Sequence, residues 1–162
     1  MAGEPGNFDW IPNRGDWTMK IYFAGSIRGG RTNAAIYRAM VEYLSSFGKV
    51  LTEHVGDMSL SEAGEDGPND RYIYERDMAW LEASDFLVAE VSLPSLGVGY
   101  EVGYAVAMKK PVLCLYQPQS DRRLSAMIGG SPHVLKYEYS SLDDAKEAIT
   151  SFLKEKHPPA SK

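Results

Sequence analysis

Cysteine is almost missing from this sequence. Cys114 is the only one in 162 residues, which excludes a disulfide framework and a cysteine-built metal site. Inside the apolar run PVLCLY it reads as a buried strand residue. No apolar stretch approaches the roughly 20 residues a membrane-spanning helix needs, so no membrane partner is expected. The N-terminus carries no apolar signal-peptide core. The cytoplasm is the expected compartment, and a protein of 18.0 kDa can also enter the nucleus. A basic excess is lacking too: the formal net charge is −5, which argues against a partner that is a nucleic-acid polymer while leaving a small anionic ligand free to meet a local positive site. There is no internal repeat. With 44% hydrophobic and 24% charged residues, what remains is an ordinary globule with a proper core.

The expected organisation is a flexible tail over 1–18, one domain over 19–154 and a second flexible tail over 155–162. Within the domain, short β-rich or apolar runs at 20–24, 49–52, 85–91, 111–116 and 134–139 alternate with helical patterns at 34–47, 70–83 and beyond 92, and with a last helix capped by Ser140 or Ser141. Such alternation predicts an α/β fold: a single doubly wound, five-stranded parallel sheet, Rossmann- or flavodoxin-like, with helices on both faces and order 2-1-3-4-5. Its switch point then lies between the first and third strands, where ligands of such sheets bind.

The segment 92–110, SLPSLGVGYEVGYAVAMKK, starts as a loop and becomes a nearly all-apolar helix. Glu101 shares the face of Val98 and Ala105. A carboxylate on an inward face is costly unless paired, hydrogen-bonded or used. Placed in the first turn, it would be kept ionised by free backbone N–H groups and the helix dipole. The plain alternative is a glutamate that complements its helix dipole, with Gly97, Gly99 and Gly103 serving helix packing. Asp77 is a second carboxylate on an apolar stripe, between Ile73 and Leu81; a charged residue at the margin of a helix face is the competing account.

The first strand runs into Gly25, Ser26, Ile27, Arg28, Gly29, Gly30 and Arg31, and a helix follows. Strand, glycine-rich turn and helix is the layout of a phosphate site, with backbone N–H groups, the Ser26 hydroxyl and the Arg28 and Arg31 charges as donors. It is neither a Walker A loop nor a dinucleotide fingerprint, and an ordinary strand–helix turn is the alternative. His54 follows the second strand, as a pocket residue or a solvated loop residue. The loop 56–69 is polar and acidic, either a flap over a site or a tolerated insertion.

Taken together, YFAGSIRGGR, VLTEHV, ERDMAWLEASDFLVAEVSLPSLGVGYEVGYAVA and LCLYQPQSDRRLSAMI resemble the 2′-deoxynucleoside 5′-phosphate N-hydrolases of the nucleoside 2-deoxyribosyltransferase superfamily. The resemblance spans roughly residues 20–139. It implies hydrolysis of the N-glycosidic bond of a 2′-deoxynucleoside 5′-monophosphate to free base and 2-deoxyribose 5-phosphate, with 5-hydroxymethyl-dUMP as one substrate and clearance of such nucleotides as a task. It further implies Glu101 at the anomeric carbon, Tyr22 orienting it, and Asp77 managing the proton of the leaving base. The 25–31 loop and Ser95 would take the 5′-phosphate; Gly97 and His54 would line the pocket. Ser125 and Met127, in LSAMI, would reach the neighbouring subunit's site in a homodimer. No metal and no organic cofactor are implied.

Two other readings remain open at this stage. A nucleoside 2-deoxyribosyltransferase would use the same Glu101 but pass the sugar to a second base; Arg28 and Arg31 favour a phosphate-bearing substrate and hence the hydrolase. A non-catalytic nucleotide-binding module would keep the phosphate loop without needing both carboxylates inside.

Overall fold

The structure is a computed structural model that describes residues 19–28, 32–61, 63–65 and 67–156. The expected tail at 1–18, the loop residues Gly29, Gly30 and Arg31, and the stretch 157–162 lie outside the described residues. In chain order the elements are β1 (Lys20–Ala24), α1 (Ala34–Leu44), β2 (Lys49–Val50), a 3-10 turn (Glu53–Gly56), α2 (Asp70–Ala83), β3 (Phe86–Glu90), α3 (Leu96–Ala107), β4 (Val112–Tyr116), α4 (Ala126–Gly129), β5 (Leu135–Glu138) and α5 (Leu142–Lys156).

The five strands form one sheet in the order β2-β1-β3-β4-β5, and every pairing is parallel. This is the expected architecture. All residues of β3 and β4 are buried, as they must be where helices cover both faces of a parallel sheet. Side chains alternate strictly. Ile21, Phe23, Phe86, Val88, Leu113 and Leu115 pack beneath α1 and α5; Tyr22, Ala24, Leu87, Ala89, Cys114 and Tyr116 pack beneath α2 and α3. Burying one such Leu or Phe contributes roughly 1.5–3 kcal/mol. The same alternation turns Tyr22 toward α3, which decides where the site forms.

Three boundaries differ from the sequence-based expectation by two residues or more. The second strand stops at Val50, because Thr52 Oγ1 takes over the ladder: it accepts from Phe23 N at 2.9 Å and donates to Phe23 O at 2.7 Å. The first helix ends at Leu44, where the hydroxyls of Ser45 and Ser46 donate to the carbonyls of Val41 and Tyr43 and compete with further helix. The last helix reaches Lys156, so residues 155 and 156 belong to it and not to a tail. Its start is capped by Ser141, as expected, whose Oγ accepts from Asp144 N at 3.1 Å; Asp144 in turn accepts from Ser140 and Ser141, and these bonds hold its carboxyl at about 2.

Candidate active site

The site lies where the C-terminal ends of β1 and β3 diverge, at the switch point of the sheet. Gly25 follows β1. A Cβ there would come within 3.1 Å of Val55 and 3.2 Å of Tyr37, so a larger residue would have to push these side chains aside where the chain turns beneath them. Across β3, Ser95 caps α3, its hydroxyl accepting from Val98 N at 3.4 Å. On the flank, Asn69 caps α2 by accepting from Tyr72 N at 2.9 Å. The three elements enclose a cavity of about 550 Å³. Its wall includes Gly25, Ile27, Arg28, His54, Asp77, Ser95, Gly97 and Glu101, eight of the residues the sequence nominates.

Glu101 is in the second turn of α3, since the helix begins at Leu96. The expectation that a first-turn position and the helix dipole keep it ionised is therefore incorrect. Burial dominates instead, and the carboxyl is raised to about 7 against the pull of its bond from Tyr22, with the charge of Asp77 raising it further. Tyr22 Oη donates to Glu101 Oε1 at 2.7 Å. Burial first, then Glu101, push the phenol far above its ordinary range, so it serves as a donor and never as an anion.

The comparison with Glu90 separates structural from chemical carboxylates. Glu90 is fully buried on the other face of the sheet. It accepts from Ser92 N at 3.2 Å, Ser92 Oγ, Tyr139 Oη at 3.0 Å and Asn33 Nδ2 at 3.4 Å. Its hydrogen-bonding capacity is spent on holding β3, α1 and β5 together. Glu101 has one donor among the described residues and lines a cavity. A carboxylate left so incompletely satisfied is costly as a structural device; it retains capacity for a substrate.

Asp77 reaches the cavity from α2. Burial raises its carboxyl, while the bond to Arg76 and the charges of Arg76 and His54 draw it down. Arg76 was not singled out from the sequence. Its guanidinium lies against the Trp80 ring, 4.6 Å from the centroid, and bonds both Asp77 and Glu65. Glu65, also unforeseen, comes from the 56–69 loop and lines the cavity with Gly64 and Ile73. The bond from Arg76 holds its carboxyl below the usual range. His54 lines the cavity, its Nε2 3.5 Å from Arg76 Nη2. Arg28 lies over Gly64 and donates from Nη1 to Asp70 Oδ1 at 3.0 Å.

Other nominated residues stand apart. Ser26 is fully buried, and its Oγ has no partner among the described residues. Ser125 and Met127 are not brought to Glu101 within one chain. They line a second, apolar cavity of about 840 Å³ with Leu96, Gly99, Gly103 and Val106. A Cβ on Gly99 or Gly103 would meet nothing within 4 Å, so these glycines do not serve packing within the chain. Among the described residues, no group of three or more His, Cys, Asp or Glu could hold a metal ion, and no helix is long and apolar enough to cross a membrane.

The chain matches a family model described as nucleoside 2-deoxyribosyltransferase over residues 21–141. It is 60% identical over 114 residues to a protein of Tetraodon nigroviridis named 5-hydroxymethyl-dUMP N-hydrolase, covering 70% of this chain and 80% of that one. A mouse protein of the same name is 52% identical over 134 residues, covering 82% of this chain and 76% of its own. Among solved structures, a CMP N-glycosidase of Clostridium botulinum shares the fold with a TM-score of 0.59 at 14% identity, over 82% of this chain and 98% of that one.

Proposed function

The chain belongs to the nucleoside 2-deoxyribosyltransferase family, and from that premise we propose that it hydrolyses the N-glycosidic bond of 2′-deoxynucleoside 5′-monophosphates, 5-hydroxymethyl-dUMP among them. It is an N-glycosyl hydrolase. The observation that carries this reading is one cavity lined by two unequal carboxylates, Glu101 and Asp77, with Gly25, Ile27 and Arg28 from the start of the loop after β1 on the same wall.

Cleavage of an N-glycosidic bond passes through an oxocarbenium-like state, which a carboxylate stabilises or captures while a second group assists departure of the base. Glu101, ionised, acts at C1′ under the hydrogen bond of Tyr22. Asp77, protonated, gives its proton to the base as the C1′–N bond pair leaves with it. Water then bonds to C1′ and returns a proton to Asp77. A 2′-hydroxyl would withdraw electrons from the developing cation, which favours deoxyribose. Ser95, Arg28 and the rest of the 25–31 loop hold the 5′-phosphate through backbone N–H groups, hydroxyls and guanidinium.

The working unit of this reading is a homodimer. Leu96 is 97% and Met127 86% exposed, and both border the 840 Å³ apolar cavity. A second copy would cover this face and bring Ser125 and Met127 to its neighbour's site.

Chromatography of free base released from paired deoxy- and ribonucleoside monophosphates, unphosphorylated deoxynucleosides and 5-hydroxymethyl-dUMP tests the activity. Base and deoxyribose 5-phosphate from deoxymonophosphates, lost in Glu101→Ala, is the expected result. Base exchange on adding a free acceptor base would favour the transferase instead. No release from any substrate by folded protein would overturn the reading.

A further inference from the structure

We propose that Arg76 is a positioning residue that occupies one oxygen of Asp77, so that the proton given to the leaving base is carried by the other. The inference rests on the hydrolase reading above. Arg76 Nε donates to Asp77 Oδ1 at 2.9 Å, and Nη2 lies 2.8 Å from the same oxygen. Among the described residues no donor bonds Oδ2. An acid cannot hold its proton on an oxygen already facing two N–H groups, so protonated Asp77 carries it on Oδ2.

Arg76 is itself held from three sides. Nη1 donates to Glu65 Oε1 at 2.9 Å, and Nη2 is 2.9 Å from Oε2, a forked pair. The guanidinium plane meets Trp80 one turn along α2, and Tyr72 lies one turn before, 6.0 Å away. The side chains of Arg76, Glu65 and Asp77 are only 15–20% exposed. A guanidinium so stacked and forked has one orientation available, which lysine cannot reproduce. When Asp77 loses its proton, the new charge forms against a cation already in place and costs no rearrangement.

Leaving-group dependence tests this. The probes are 5-substituted 2′-deoxyuridine 5′-monophosphates, from the methyl compound, whose base needs the proton most, to the fluoro compound, whose more acidic base needs it least. Arg76→Gln is expected to slow the methyl substrate by about 100-fold and the fluoro substrate by about 10-fold or less, a fraction of what general-acid assistance supplies. The pH profile of kcat/KM supplies a second readout. Around Asp77 stand Arg76 on its own helix, His54 on the 3-10 turn, Glu65 on the loop, Glu101 on α3 and Tyr22 on β1. Removing the Arg76 cation moves the Asp77 limb to higher pH. Arg76→Lys keeps the charge and hence the limb, but retains the steepened leaving-group dependence.

Uniform slowing of all substrates with an unmoved limb would overturn the role of Arg76 and leave the hydrolase intact. No base release by wild type would overturn both. Folding is checked by circular dichroism; if Arg76→Gln does not fold, Glu65→Gln, which removes the outer anchor, is expected to show the same trend more weakly, and a flat series there counts against the proposal.

Discussion

Tyr22 on β1 and Glu101 on α3 are 79 positions apart in the chain and joined by a 2.7 Å hydrogen bond, the phenol donating. The bond works against burial on the glutamate, lowering a carboxyl that burial holds at about 7. Tyr22→Phe removes the donor without changing the ring. The Glu101 carboxyl then rises above about 7, and the fraction ionised at neutral pH falls. A hydrogen bond to a charged group contributes roughly 1.5–3 kcal/mol, so kcat/KM at pH 7 is expected to fall roughly 10- to 100-fold. The pH limb that reports Glu101 moves upward. An unmoved limb would mean that Tyr22 acts by packing alone.

Glu101 also sets a conflict between stability and activity. Its carboxyl titrates at about 7 when folded against an ordinary value of 4.5. Below pH 4.5 both folded and unfolded chains hold the proton, and burial carries no ionic penalty. As pH rises toward 7, the unfolded chain has released a proton that the folded one still binds, so stability falls; above 7 the loss is constant. Allowing for the part of Glu101 that is open to the cavity, the loss is about 2 kcal/mol. Glu101→Gln abolishes it. Thermal melts should show the variant higher by about 4–8 °C at pH 8 and equal to wild type at pH 4.5, with base release gone at both. A gain of the same size at both pH values would show that the charge is not its source.

Much of this was legible in the sequence because it rests on period and on backbone. Alternating apolar strands and amphipathic helices dictate a parallel sheet, and the strict alternation of β1 places Tyr22 on the face of α2 and α3. Asp77 and Glu101 could be picked out because a carboxylate stands out on an apolar stripe. Arg76 could not. Next to Asp77 on a helix, it should point about 100° away; only its length lets the guanidinium return to the aspartate. Glu65 was hidden for another reason: no period governs the loop that carries it. The first-turn placement of Glu101 failed because the cap is Ser95, which starts the helix earlier than the glycines suggest.

Arg28 has two claimants. It is paired with Asp70 at 3.0 Å, with side-chain exposures of 57% and 83%. An exposed pair contributes at most about 1 kcal/mol, little enough for a phosphate dianion to displace. Asp70→Asn should therefore change the melting temperature by no more than about 4 °C and lower KM for a deoxynucleoside monophosphate. Arg28→Ala should raise that KM by about 10-fold, the scale of one charge-assisted hydrogen bond, and leave the unphosphorylated deoxynucleoside unaffected. Equal effects on both substrates would place Arg28 away from the phosphate.

The homodimer reading makes a sharper demand than size alone. If Ser125 and Met127 of one copy complete the site around Glu101 of another, Glu101→Ala and Ser125→Ala/Met127→Ala are inactive or impaired for different reasons in different subunits. In a mixed dimer one site has both defects and the other has neither. Co-folding the two variants in equal amounts should thus restore activity to roughly a quarter of wild type: half the dimers are mixed, and each has one intact site. Met127 is 86% and Leu96 97% exposed in the single chain, so Leu96→Glu, which places a charge on that apolar face, should yield monomers by light scattering and reduce turnover with the Glu101 cavity unaltered. Failure of the mixture to gain activity over its parents, with mixed dimers verified by mass, would show that each chain completes its own site.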